Sequence, residues 1–175
     1  GEKEAIVSIA AINTALGTIS DAITANPEKA RAKAAPATAR LLEGLRCEVT
    51  GTKGEIAHTD MPPAMGGNAS APNPGWFMRG AIASCTATVI AMRAARLGVA
   101  LKLLEVTVES ESDHRGILGL DDRVSAGFSA MRVKVKIGAD GADPSQLRAL
   151  AEWGDAHSPV ACTVRTSPVT TIDVE

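Results

Sequence analysis

Three cysteines, Cys47, Cys85 and Cys162, are the side chains of this sequence best suited to covalent chemistry. A thiolate can attack an electrophile, become a sulfenic acid or bind a metal ion. An odd, small number of cysteines without a C-x-x-C pair argues against a secreted disulfide framework. The three histidines show no metal-ligand spacing with these cysteines, so we expect neither a metal site nor a cofactor.

Cys85 lies in the middle of the least polar segment of the chain. Residues 75–97 carry only arginines as charged residues and predict a helix that ends at Gly98. A helix that is apolar on most sides is buried on most sides. Cys85 lies about three turns inside, too far from the N-terminus for activation by the helix dipole, so a cation must supply it. Taken alone, a buried cysteine is more often an inert packing residue.

Strand-like alternation surrounds this helix. It covers residues 45–49, 55–59, 103–110, 131–137 and 168–174, while Asp143-Pro144 opens a second helix that runs to about Gly154. The order after Gly44 is β-β-α-β-β-α-β, which predicts an α+β fold with antiparallel sheets. Residues 60–74 form a long loop rich in Pro, Gly and Asn, and loops of this length are often functional.

The first 43 residues are predicted to be an N-terminal helical extension that precedes a domain at 44–175. An apolar stripe predicts a helix over residues 5–25, which Asn26-Pro27 ends. Residues 28–43 are rich in alanine and are predicted to favour helix, with an interruption at Pro36. We expect the stripe to pack on the domain or on a partner subunit; its members are Ile6, Ile9, Leu16, Ile19 and Ile23.

Composition argues against several classes of partner. The net charge is −2, no basic block is present and aromatic residues make up 2%, so a nucleic acid partner is not expected. No apolar run reaches the roughly 18 residues of a membrane span. Residues 1–4 lack the pattern of a secretory signal, which predicts a cytoplasmic location.

Five short motifs, in order along the chain, resemble the OsmC family of osmotically inducible and organic hydroperoxide resistance proteins. The resemblance covers roughly residues 44–175. Its motifs are Asp60-Met61-Pro62 with Gly66-Gly67, Asn73-Pro74 with the segment 80–86 around Cys85, Leu97-Gly98-Val99, the segment 113–119 and His157-Ser158-Pro159-Val160.

The resemblance implies an OsmC-like fold, with antiparallel sheets packed around a buried central helix in an intertwined homodimer. It further implies active sites at the subunit interface that reduce small organic hydroperoxides. In that family one cysteine attacks the peroxide and becomes a sulfenic acid, a second resolves it as a disulfide, and an arginine and a glutamate support the thiolate. A dithiol reductant would complete the cycle. Cys85 matches the attacking cysteine.

Two positions depart from the family pattern. Ser158 stands where the resolving cysteine is expected, and Gly75 stands in place of the glutamate. Cys162, four residues beyond Ser158, is either a displaced resolving thiol or a packing residue before the last strand. Arg46 is either the activating arginine or an exposed strand charge, and Cys47, which alternates with it, is interpreted as a core residue.

Three functions therefore stay open. The leading interpretation is weak, thiol-dependent reduction of organic hydroperoxides. The alternative is a non-peroxidatic protein of the same fold that binds a small apolar ligand at the dimer interface. A different thiol chemistry that uses Cys85 alone also stays open. The sequence further predicts that Asp113 and Arg115 only hold a turn, and that His114 and His157 face solvent.

Overall fold

The computed structural model describes residues 7–175, which divide into two compact units. One unit is Asp21–Gly80, and the other combines the residues up to Ser20 with Ala81–Glu175. The first helix, α1 (Ile9–Ala25), and the central helix, α2 (Pro74–Arg96), each run across a unit boundary. The mixed composition of helices and antiparallel sheets confirms the predicted α+β class.

The unit Asp21–Gly80 is built on a three-stranded antiparallel sheet. Its strands are β1 (Ala37–Glu43), β2 (Arg46–Gly51) and β3 (Ile56–Thr59), in that order. The prediction of helix over 28–43 is wrong, because only Pro27–Ala30 forms a short 3-10 turn and β1 follows. Pairing with β2 along one edge gives the backbone of residues 37–43 hydrogen-bond partners, and this pairing overrides a weak helix propensity.

The other unit pairs a long hairpin with helices. The hairpin joins β4 (Leu101–Ser112) and β5 (Phe128–Ala139) through the short helix α3 (His114–Ile117). Two helices follow, α4 (Pro144–Ala156) and α5 (Pro159–Arg165). On one face of the hairpin, valines pair across the strands, and on the other, Glu109 pairs with Lys134 and Glu105 with Lys136.

The C-terminal part differs from the sequence prediction. The sequence did not predict α5, whose first turn is capped by the Ser158 hydroxyl accepting a hydrogen bond from the Ala161 amide. The strand predicted at 168–174 is wrong, since residues 167–175 have no regular structure. Its apolar residues are almost fully exposed, with Val169 at 97% and Ile172 at 88%. An alternating segment becomes a strand only beside another strand, and in the described part of this chain none pairs with it.

The helix α2 buries one stripe of its surface. Ile82, Thr86 and Ile90 lie one turn apart and are fully buried. Gly154 of α4 meets this stripe so closely that a Cβ atom built on it would overlap Ile90 Cγ1. The other faces of α2 are only half-buried or exposed, including Cys85, Val89 and Met92. Within a single chain, α2 is therefore buried on one side.

The substitution Gly154→Ala should destabilise the protein by about 1–3 kcal/mol, because the added methyl overpacks the contact with Ile90. Urea unfolding followed by circular dichroism measures the change. Gly80→Ala is the matched control, because its Cβ meets no atom within 4 Å and a helical glycine gains about 0.5–1 kcal/mol on conversion to alanine. Equal stability of the two variants would contradict the close α2–α4 contact.

Candidate functional site

Cys85 presents a free, half-buried thiol in the middle of α2. It is adjacent in sequence to Thr86, which belongs to the buried stripe, so the thiol lies at the border between the covered and uncovered faces of the helix. Two of the arginines on α2 are engaged elsewhere. Arg93 lies over the Trp153 ring at 4.6 Å, and Arg96 donates a hydrogen bond to Asn13.

Cys162 lies on α5 rather than before a strand, and it too is a free, half-buried thiol. Its Sγ donates a hydrogen bond to the Ala156 carbonyl oxygen at 3.2 Å. Arg165 lies beside it and pairs with Asp155, Nη2 to Oδ2, at 2.6 Å. The Asp155 carboxylate, with a smaller contribution from Cys162, raises the pKa of the Arg165 guanidinium. The Arg165 guanidinium therefore stands next to this thiol, with its charge balanced by the Asp155 carboxylate.

Ser158, where the sequence resemblance leads us to expect a resolving cysteine, has a structural role. Its side chain is completely buried, and its Oγ accepts a hydrogen bond from the Ala161 amide at 3.3 Å. A serine is among the preferred residues at a helix N-cap. The hydroxyl therefore starts α5 and offers no route to a disulfide.

Arg46 begins β2 and is held by the loop 60–73. Its Nη1 donates to the Ser70 hydroxyl at 2.6 Å and, more weakly, to the Ser70 carbonyl oxygen at 3.5 Å. The residue is half-buried and is thus more than an exposed strand charge. It belongs to the unit Asp21–Gly80, whereas Cys85 and Cys162 belong to the other unit. Activation of Cys85 by Arg46 stays a prediction.

Asp60 organises the loop that holds Arg46. Its buried carboxylate accepts hydrogen bonds from the Met61, Asn68 and Ser70 amides and from the Ser70 hydroxyl, the last at 2.6 Å. The hydrogen bonds from Ser70, above all, lower the pKa of Asp60 from 3.8 to about 2. This role was not predicted from the sequence, although Asp60 opens one of the family-like motifs and an aspartate before a Pro/Gly-rich loop is a typical signal of a turn.

The remaining candidates have simple roles. Asp113 and Arg115 form a bidentate ion pair that holds the turn after β4, as predicted, and Arg115 lowers the pKa of Asp113 to about 2. His114 and His157 are exposed, as predicted, and His157 stacks on Trp153. Cys47 is half-buried within the first sheet, between Leu41 and Thr59.

Two hollows border these residues. A polar hollow of about 360 Å³ lies next to Arg46, Asp60 and Ser70. A larger, mostly apolar groove of about 940 Å³ lies between β5 and α4, lined by Val133, Val135 and Leu147 among others. Within residues 7–175, no group of three or more His, Cys, Asp and Glu residues is arranged to hold a metal ion. In the same range, no helix is long and apolar enough to cross a membrane.

The substitution Asp60→Asn should remove an acid-sensitive part of the stability. Because the pKa of Asp60 is lower in the folded chain than its ordinary 3.8, its stabilising effect is complete above about pH 4 and is lost as the pH falls towards 2. The variant should be less stable than the wild type at pH 7, and the difference in their free energies of unfolding should shrink between pH 4 and 2. Urea unfolding at several pH values measures it. Asp122→Asn, at an exposed site, is the control; a gap that is constant with pH would contradict the role of Asp60.

The comparisons with known proteins agree on a family. Among curated proteins, none matches this chain. Three of the similar solved structures are an OsmC-like protein from Mycoplasma pneumoniae, an organic hydroperoxide resistance protein OsmC from Legionella pneumophila and the organic hydroperoxide resistance protein OhrB of Bacillus subtilis. Their TM-scores are 0.66, 0.58 and 0.52, at 13%, 20% and 19% identity. They cover 78%, 78% and 77% of this chain, and 91%, 92% and 93% of their own chains.

These structural matches establish a shared fold, and the family model adds sequence evidence. The model of OsmC-like proteins matches residues 66–173, a range that includes Cys85, Ser158 and Cys162. The match covers more than half of the chain and confirms the resemblance carried by the sequence motifs. The chain therefore belongs to the OsmC-like protein family.

Proposed function

We propose that this protein reduces organic hydroperoxides with the thiol of Cys85. The observation that carries the proposal is a free, half-buried cysteine in the middle of α2 in a chain of the OsmC-like family. Solved structures of the same fold include organic hydroperoxide resistance proteins from Legionella pneumophila and Bacillus subtilis. A half-buried thiol on a mostly apolar helix suits a substrate with an apolar body and a polar peroxide head.

The proposed reaction has two steps. The Cys85 thiolate attacks one peroxide oxygen, the O–O bond breaks, and the alkoxide leaves and takes up a proton to become an alcohol. Cys85 becomes a sulfenic acid, two electrons more oxidised than the thiol. A second thiol then condenses with the sulfenic acid, which forms a disulfide and releases water. A dithiol reductant returns the disulfide to two thiols by thiol–disulfide exchange.

Regeneration is the weak step of this cycle. Ser158 caps α5 and cannot form a disulfide, so the second thiol is either Cys162 or an external dithiol. We propose that the protein is cytoplasmic, where such dithiols are available. Cys162 would have to give up its hydrogen bond to Ala156 before it could react.

The activating cation is proposed to be Arg46. Both oxygens that accept its hydrogen bonds belong to Ser70 and are uncharged. These two hydrogen bonds therefore hold the guanidinium in place without neutralising its charge. A positive charge that reaches a thiol favours the thiolate. Gly75 offers no side chain to replace the family's glutamate, which is a further reason to expect slow turnover.

The substitution Cys85→Ser should abolish consumption of cumene hydroperoxide, because a hydroxyl without an adjacent base is a poor nucleophile at neutral pH. Peroxide loss in the presence of added dithiol measures turnover, and mass spectrometry detects the sulfenic acid. Cys47→Ser is the matched control and should keep wild-type turnover. Cys162→Ser should abolish an internal disulfide if Cys162 resolves Cys85, while external dithiol still supports turnover.

Equal peroxide consumption by the wild type and Cys85→Ser would refute the catalytic proposal. The same holds if no sulfenic acid forms at Cys85. The alternative, binding of a small apolar ligand, would then take its place. The groove of about 940 Å³ between β5 and α4 favours that alternative, since it has the size and the largely apolar lining of a small-molecule site.

We also propose that the protein is a homodimer. The chain leaves several apolar surfaces exposed or only half-buried: half of α2, the half-buried valine face of a hairpin of only two strands, and the exposed C-terminal segment. A two-stranded sheet is marginally stable without further cover. A second copy that covers these surfaces would also complete the burial of α2 that the sequence predicts and would place Cys85 near the subunit interface.

Light scattering should show twice the chain mass at micromolar concentration. We expect the interface of this dimer to bury more than about 2,000 Å². The substitution Ile172→Asp should weaken the dimer about 10- to 100-fold, because burial of an isoleucine contributes about 1.5–3 kcal/mol. Thr171→Asp adds the same charge at a neighbouring polar residue and serves as the control. A stable, folded monomer of the wild type would contradict the proposal.

A further inference from the structure

The first helix carries an apolar stripe that its own chain covers only in part. We propose that α1 pairs with α1 of a second copy through this stripe, an inference that rests on the proposed homodimer. The members of the stripe, called here the α1 seam, are spaced alternately three and four residues apart, as in a coiled-coil seam. They are Ile9, Ile12, Leu16, Ile19 and Ile23.

The contact of α1 with its own unit uses a different face. Arg96 Nη1 donates to Asn13 Oδ1 at 3.2 Å and lies against Gly17. At about 100° per residue, Asn13 and Gly17 are displaced by roughly 60–100° from Leu16, the centre of the seam. None of the residues of α1 is buried, and the exposed fraction reaches 42% at Ile9 and 56% at Ile19. Ile12, Leu16 and Ile23 are half-buried, so the seam is partly covered and still accessible to another surface.

The chemistry of the seam fits an identical helix. From Ile9 to Ser20 the helix has no charged residue, and the positions that flank the seam are small or uncharged: Asn13, Ala15, Ser20 and Ala22. Two such helices bring no charge of their own to the contact; Arg96, hydrogen-bonded to Asn13, lies at its edge. A charged partner would find no counter-charge on this face, and a helix that binds membrane surfaces typically carries lysines and arginines, which α1 lacks.

The size of the seam makes it an addition to a larger interface. A helix of 17 residues is about 25 Å long, too short to pair stably by itself in water. Its contact falls well below the roughly 800 Å² per partner of a self-sufficient interface. In a twofold-symmetric dimer, Leu16 lies at the centre of the seam and meets its own counterpart whether the two helices run parallel or antiparallel. Ile9 meets its counterpart only in the parallel arrangement.

Disulfide trapping tests this pairing in a chain whose three native cysteines are replaced by serine. Leu16→Cys should form an intersubunit disulfide under mild oxidation at least about 10-fold faster than Thr14→Cys, because a disulfide requires Cα atoms within about 7 Å. Thr14 lies on the opposite side of α1 and is the matched control. Ile9→Cys then reports whether the helices are parallel. If the serine background fails to fold, peptide mapping of a 16–16 disulfide in the native background replaces it.

The outcomes separate this inference from the proposal on which it rests. A dimer by light scattering in which Leu16→Cys crosslinks no faster than Thr14→Cys overturns the α1 pairing and leaves the homodimer intact. A monomer by light scattering overturns both. Binding of the wild-type chain to lipid vesicles that is lost in Leu16→Asp would assign the seam to a membrane surface and would also overturn the inference.

Discussion

The one-sided burial of α2 is the constraint on which the position of Cys85 depends. Ile82, Thr86 and Ile90 are buried along a single stripe, and Gly154 lets α4 approach that stripe at backbone distance. Close-packed contacts of this kind tolerate no added volume. Once the stripe is fixed, the neighbouring Cys85 must lie at its edge. The chemistry of the thiol is thereby linked to assembly, because the half-covered faces of α2 are the surfaces that a second copy would close.

A second fixed point, the Asp60 carboxylate, controls the position of Arg46. A buried charge is costly unless hydrogen bonds replace its water, and four donors from the loop 60–73 surround this one. Ser70 donates to Asp60 and accepts from Arg46, so the loop and the guanidinium form one hydrogen-bonded unit. The position of the Arg46 guanidinium, the proposed activating group, therefore depends on the conformation of this loop.

A serine at position 158 has a physical reason. The position begins α5, where a free backbone amide needs an acceptor, and a serine hydroxyl fills that need better than a thiol. The hydroxyl gives the helix a cap and cannot form a disulfide. One turn further on, the free thiol of Cys162 lies beside Arg165, whose charge is balanced by Asp155. Whether this arrangement resolves Cys85 depends on a movement that frees Cys162 from Ala156.

The sequence by itself determined the elements whose signals lie within a few residues. The central helix, the alternating strands β4 and β5 and the Asp143 cap of α4 were all readable, because their periodicity and capping involve near neighbours along the chain. Cys85 was likewise found from a local motif. The tertiary structure alone decided the rest. Residues 37–43 became a strand because β2 lies beside them, and residues 168–174 did not because no strand does. The hydrogen bond of Arg46 to Ser70 spans 24 residues, and no local pattern encodes a contact at that separation.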